Sequence, residues 1–218
     1  MNDVSPDVEG WDPLLRDQPR LAAQLRFLAE IDALKSVIRQ TTLMDASRRE
    51  NDAEHSWHLA MMALLLAEHA PGTDPARVAK MLLIHDIVEI DAGDVFFFDA
   101  AGMVGQAERE ARAAERIFGL LPPDQGHDLK ALWEEFEERI SPDARFARAI
   151  DRLQPLMQNF RSGGGTWRRP EVTPGRETDR IVRLIEDGSP VLAAFARELL
   201  AEGARRGYFD AISAASVD

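Results

Sequence analysis

The chain has 218 residues, 45% of them hydrophobic, no cysteine, and a net charge of −12. The length fits one domain, and the apolar fraction excludes wholesale disorder. The missing cysteines exclude disulfides, thiolate zinc sites, thiol catalysis and iron–sulfur clusters, and the negative charge disfavours a nucleic-acid duplex or an anionic membrane as partner.

In chain order, residues 1–18 are rich in acids and proline and read as an extended arm. The arm lacks an apolar stretch, so no signal peptide is expected and a cytoplasmic home is. Leu21, Leu25, Leu28, Ile31, Leu34 and Ile38 recur at spacings of three and four, which predicts one amphipathic helix. Thr41 to Asn51 is polar and reads as a loop. Asp52 can cap a second helix with His55 at its third position; Leu59, Met62, Ala63 and Leu66 would face the core, and Pro71-Gly72 would end it. The run from Leu59 to Ala67 is the longest apolar stretch, well short of the roughly 18 residues a membrane span needs.

Asp74-Pro75 opens a third helix, expected to run through Met81, Leu82 and Ile84 to about Ile90, with Gly93 as its stop. Val95 to Phe98 is an apolar patch, either a short extended piece or a turn over the site. Helices follow over Gln106–Phe118, about 124–139, and from Ser141-Pro142 through Phe146, Ile150, Leu153 and Met157. Residues 161–176 read as a flexible Gly/Pro-rich loop, and two helices close the chain over about 177–186 and 189–204. Ala and Leu together number 54, against 28 for Val, Ile and Thr, so the expected fold is all-α, a single helical-bundle domain over 1–218.

His85-Asp86 follows Leu82-Leu83-Ile84 directly, and Glu89 lies within one helical turn of both. A carboxylate beside a core stripe is costly unless paired or bound to a metal. A structural His–Asp hydrogen bond and a metal site both answer that cost. His127-Asp128 repeats the dipeptide in a polar, turn-like stretch and reads as a chance copy. His58 fits packing beside Trp57 better than a ligand role, and His69 fits a helix end. The glycines at 163–165 are no P-loop, since no Gly-Lys-Ser/Thr follows.

Two further segments complete a pattern: Glu50-Asn51-Asp52-Ala53-Glu54-His55-Ser56, and Asp151 alone between apolar positions of a helix. With His55, His85-Asp86, Glu89, Gly93-Asp94 and Asp151, residues 20–165 resemble the HD-domain metal-dependent phosphohydrolases, most of all their 5′-deoxynucleotidase and HD-domain-containing protein 2-like group. The resemblance implies one divalent ion (Mn, Co, Fe, Ni or Zn) held by His55, His85, Asp86 and Asp151, and mixed nitrogen and oxygen donors suit any of these ions. It implies Glu89 and Asp94 as catalytic groups and an arginine ahead of His55 as the phosphate grip. Arg39 is the first choice, with Arg48 and Arg49 beside it. It also implies a homodimer and a small nucleotide substrate, foremost a deoxynucleoside 5′-monophosphate. The alternatives are another hydrolase of the superfamily (cyclic-nucleotide phosphodiesterase, nucleoside-triphosphate or alarmone pyrophosphohydrolase) or a helical nucleotide-binding module without turnover.

Overall fold

A computed structural model describes residues 15–170, 172 and 175–209; most of the expected N-terminal arm lies outside them. The architecture is helical, with one small two-stranded sheet. The first helix, α1 (Pro19–Glu30), has Pro at its start, where a missing N–H costs nothing. It does not continue to Ile38 as expected. A 3-10 turn over Ile31–Ser36 follows, and Ile38 opens a strand. The β-branched run Val37-Ile38 favours extended backbone, and the inward face of α1 carries Ala22 and Phe27 while Leu21 and Leu28 stay exposed.

The segment expected as a loop is instead an antiparallel hairpin, β1 (Ile38–Thr42) and β2 (Arg49–Asn51), pairing Ile38 with Asn51 and Thr42 with Arg49. Asn51 then caps α2 (Asp52–Leu66) in a capping box. Its side chain accepts from the Glu54 backbone N–H at 3.0 Å, and the Glu54 carboxylate accepts from the Asn51 N–H at 3.5 Å. The cap is thus one residue earlier than expected. Asp52 is the first helical residue, and its carboxylate turns inward with no exposure.

Asp74 caps α3 (Pro75–Ile84). This helix stops six residues short of the expected Ile90. Tight turns carry His85 to Val88, the short α4 (Glu89–Ala92) follows, and Gly93 ends it at φ 78°, a left-handed conformation that suits glycine. α5 (Gln106–Phe118), α6 (Pro123–Glu138) and α7 (Pro142–Arg161) follow as expected within a residue or two. α7 packs against α2, α3, α6, α8 (Arg176–Gly188) and α9 (Pro190–Arg205), so it runs through the middle of the molecule. Leu59, Met81, Leu82, Ile117, Phe146, Ile150, Leu153 and Ile185 form the centre of the core.

Where the 161–176 loop was expected, residues Gly165–Arg168 make a 3-10 turn that buries Thr166 and Trp167. The Asn159 side chain fixes this turn, accepting from the Thr166 N–H at 2.9 Å and donating to its hydroxyl at 2.9 Å. No helix among the described residues is long and apolar enough to cross a membrane.

Candidate metal centre

Two helices and a turn bring four donor side chains together. α2 carries His55, the turn after α3 carries His85 and Asp86, and the middle of α7 carries Asp151; all four are buried. His55 Nε2 lies 3.2 Å from Asp151 Oδ1 and 3.9 Å from Asp86 Oδ2. His85 Nε2 lies 3.0 Å from Asp86 Oδ1 and 3.9 Å from Asp151 Oδ1. Donor atoms of His55, His85 and Asp86 all fall within 4.8 Å of one another.

The far side of each imidazole is tied down. His85 Nδ1 donates to the Leu82 carbonyl at 2.8 Å, which leaves Nε2 facing the cluster without a hydrogen-bond partner. His55 Nδ1 lies 3.2 Å from Gln154 Oε1 and 3.4 Å from Glu50 Oε2, so its Nε2 also faces inward. A carbonyl or carboxamide on one ring nitrogen fixes the tautomer and frees the other as a ligand. An orphaned buried imidazole nitrogen beside two carboxylates fits a divalent ion of the N/O-binding class.

The charges of the metal-free cluster reflect this crowding. Burial and the Arg39 charge press on His55, but hydrogen bonds to Asp151 and Glu50 outweigh them and lift its pKa to about 9. Burial keeps His85 below its ordinary value. Burial also works against ionised Asp151, yet Arg152, the His55 hydrogen bond and Arg148 hold it well below the carboxylate range. Metal binding must displace the His55 Nε2 proton, so affinity rises with pH.

A second carboxylate group adjoins the first through Asp86. Atoms of Asp52, Asp86 and Glu89 lie within 4.8 Å of one another. Arg39, reaching in from β1, is their counterion: Nη1 donates to Asp86 Oδ2 at 2.8 Å and to Asp52 Oδ1 at 2.9 Å, with Asp94 Oδ1 at 3.9 Å. Burial and the Asp86 charge push Asp52 up to about 7 against Arg39. The same causes push Glu89 well above the carboxylate range, and burial raises Asp94. One oxygen of Glu89 is buried without a hydrogen-bond partner.

Of the three arginines considered for the phosphate, only Arg39 enters the cluster. Arg48 is held outside by a bidentate pair with Glu54, at 2.9 and 2.6 Å, and Arg49 Nε donates to the Arg39 carbonyl at 2.6 Å. His127 is exposed on α6, and His58 sits beside the Trp57 ring, as expected, with Gln154 Nε2 at 3.3 Å. Sequence reasoning missed Asp52, Glu50 and Gln154. Gln154 carried a usable signal, since it lies three residues after Asp151 on the same face of α7. Asp52 gave none, because aspartate next to a helix start reads as a cap.

Known proteins resemble this chain over most of its length. The model of the HD domain family matches residues 31–192. The human 5′-deoxynucleotidase HDDC2 is 30% identical over 156 residues, covering 71% of this chain and 73% of its own. A crystal structure from Magnetospirillum magnetotacticum MS-1, named a "predicted metal-dependent phosphohydrolase", superposes with a TM-score of 0.84 at 56% identity, over 89% of this chain and 97% of that one. A conserved protein of Pyrococcus furiosus shares the fold at TM-score 0.60 and 21% identity, over 83% of this chain and 99% of that one. The separated histidine, the His-Asp pair and the distant aspartate meet within a domain that the family model covers for most of its length, and this chain belongs to the HD domain family.

Proposed function

We propose that this chain is a metal-dependent phosphomonoesterase of deoxynucleoside 5′-monophosphates, built as a single HD domain. The observation that carries the reading is the pair of inward-facing imidazole nitrogens beside Asp86 and Asp151, with Glu89 one carboxylate away. The name of the human relative supports the substrate class, and that of the Magnetospirillum structure supports the metal dependence. His55, His85, Asp86 and Asp151 would hold one divalent ion. Such an ion supplies Lewis acidity toward a phosphate oxygen and lowers the pKa of water.

The chain's own groups do the rest. Glu89 takes a proton from the water that attacks phosphorus. Burial and the Asp86 charge raise the pKa of its carboxyl, which strengthens it as a proton acceptor. Asp94, also raised, protonates the leaving 5′ oxygen as the P–O bond breaks, giving a deoxynucleoside and inorganic phosphate. Arg39 faces both carboxylates and turns its guanidinium to the phosphate. The test is phosphate release from a panel of esters. Deoxynucleoside monophosphates should turn over with Mn or Co, stop with chelator and resume on re-addition. Release from cyclic nucleotides or triphosphates, with none from monophosphates, would overturn the substrate assignment. A cytoplasmic home is part of the same reading.

A homodimer is part of this reading. α2 buries Leu59, Met62 and Ala63 on one side yet exposes Trp57, Met61, Leu64 and Leu65 on the other, at 63%, 40%, 51% and 68%. A helix apolar all round calls for cover on both faces. The 95–98 patch is half-buried against the core and is less suited to this contact. Sedimentation should give a dimer at micromolar concentration, and Leu65→Glu should give a monomer. A monomeric wild-type protein would remove the dimer and leave the chemistry untouched.

A further inference from the structure

The chain Val95-Phe96-Phe97-Phe98 starts one residue after Asp94, so it borders the catalytic carboxylates. Three arginines from three different segments converge on it. The guanidinium carbons of Arg152, on α7, and Arg180, on α8, lie 4.7 and 4.8 Å from the centre of the Phe97 ring. That of Arg169, just past the 3-10 turn, lies 5.1 Å from the centre of Phe96.

Arg169 and Arg180 are held by aromatic rings and not by acids. In this acidic chain most exposed arginines are paired to carboxylates: Arg20 to Asp124, Arg48 to Glu54, Arg116 to Asp91, Arg197 to Glu186. Arg169 and Arg180 have no carboxylate partner among the described residues. Arg169 spends one donor on Gln40 Oε1, at 2.7 Å, next to Arg39 in β1. Arg152 is tied at 3.1 Å to Asp151 Oδ2. The two ties link the aromatic segment to Asp151 and to the strand that carries Arg39. A contact with a ring attracts the cation through the ring's quadrupole, and it leaves the in-plane N–H donors of the guanidinium for another acceptor. Donors only, held against apolar rings and flanking a phosphate site, fit a flat heterocycle whose edge carries carbonyl and ring-nitrogen acceptors.

We propose that Phe96, Phe97, Arg169 and Arg180 form the subsite for the nucleobase. The proposal rests on the phosphomonoesterase reading and assigns to that site the residues that separate a nucleotide from a bare sugar phosphate. The base accepts from the two guanidinium groups, which the phenylalanine rings hold in place. Arg152 stays on Asp151 and holds the Phe97 ring in place.

The test compares Arg180→Gln, Arg169→Gln and the double variant on two substrates, dAMP and deoxyribose 5-phosphate, which share sugar and phosphate but not the base. KM for dAMP should rise about tenfold for each arginine removed, while KM for deoxyribose 5-phosphate stays within about twofold. Calorimetric binding of dAMP, measured in metal-loaded protein that also carries Glu89→Gln to slow turnover, should weaken by the same factor. Arg180 is exposed, so its variant tests the idea even if Arg169→Gln disturbs the turn. Equal losses on both substrates would assign the arginines to the phosphate and overturn the proposal, as would unchanged dAMP binding. If wild-type protein turns over neither substrate, the reaction assigned above fails. Calorimetry still decides the subsite, because dAMP binding that the double variant loses supports it and binding that survives refutes it.

Discussion

Glu89→Gln should lower kcat by roughly 10²–10⁴, the usual size of a general acid–base contribution, and leave the bound metal in place. Glutamine matches glutamate in size and helix propensity, so α4 and its surroundings should stand. The substitution also removes a carboxylate that burial, Asp86 and Asp52 all disfavour, so stability should not fall. KM should move less than kcat, because proton abstraction matters in the transition state. Asp86→Asn makes the contrast. Asp86 touches His85 Nε2 through one oxygen and Arg39 through the other, so that variant should lose metal and recover partly in excess metal. Metal content and phosphate release, measured for both variants, separate the roles. Full activity in Glu89→Gln with metal retained would remove the base assignment. Metal loss in that variant would make Glu89 a ligand.

What the sequence revealed depended on how far each feature is local. The helices from α5 onward were readable because their apolar spacing and their caps lie within a few residues of one another. The hairpin was not, because its strands have no apolar alternation. Thr41 and Glu50 are the buried positions, and the second is a charge whose burial makes sense only beside Arg39 and His55. The end of α3 was hidden too, since Ile87, Val88 and Ile90 continue a helical apolar pattern through the turns that interrupt it. Asn51 and Asp52 both look like caps, and only the capping box with Glu54 shows which is free to meet Arg39. The family resemblance grouped His55, His85-Asp86 and Asp151, and the fold brings these segments close together. The charges around them could not be paired from sequence. Arg48 and Arg49 precede His55 closely yet point elsewhere, while Arg152, Arg169 and Arg180 reach the neighbourhood from more than 95 residues away.

Arg39→Gln should cost the metal-free protein about 3–5 kcal/mol of stability, the range seen when one partner of a buried ion pair is removed. The arginine side chain is only 13% exposed, and its Nη1 serves Asp52 and Asp86 together, with Asp94 and Glu50 each 3.9 Å from the guanidinium. Among the described residues no other cation pairs with Asp52, so without Arg39 its carboxylate would stay buried without a counterion. The loss should depend on pH. The Asp52 pKa is raised in the folded state, to about 7, above its unfolded value, so its contribution is present at low pH and fades as pH rises through about 7. Removing Arg39 pushes Asp52, Glu89 and Asp94 higher still, so the variant should fall furthest behind wild type above pH 7 and come closest to it near pH 5. A divalent ion shared by Asp86 restores positive charge to the cluster, so saturating metal should return part of the stability. Urea unfolding at the two pH values, with chelator and with Mn, measures all three effects. A metal-free Arg39→Gln protein as stable as wild type at pH 8 would mean that these carboxylates take up protons at little cost, and that Arg39 serves the substrate alone.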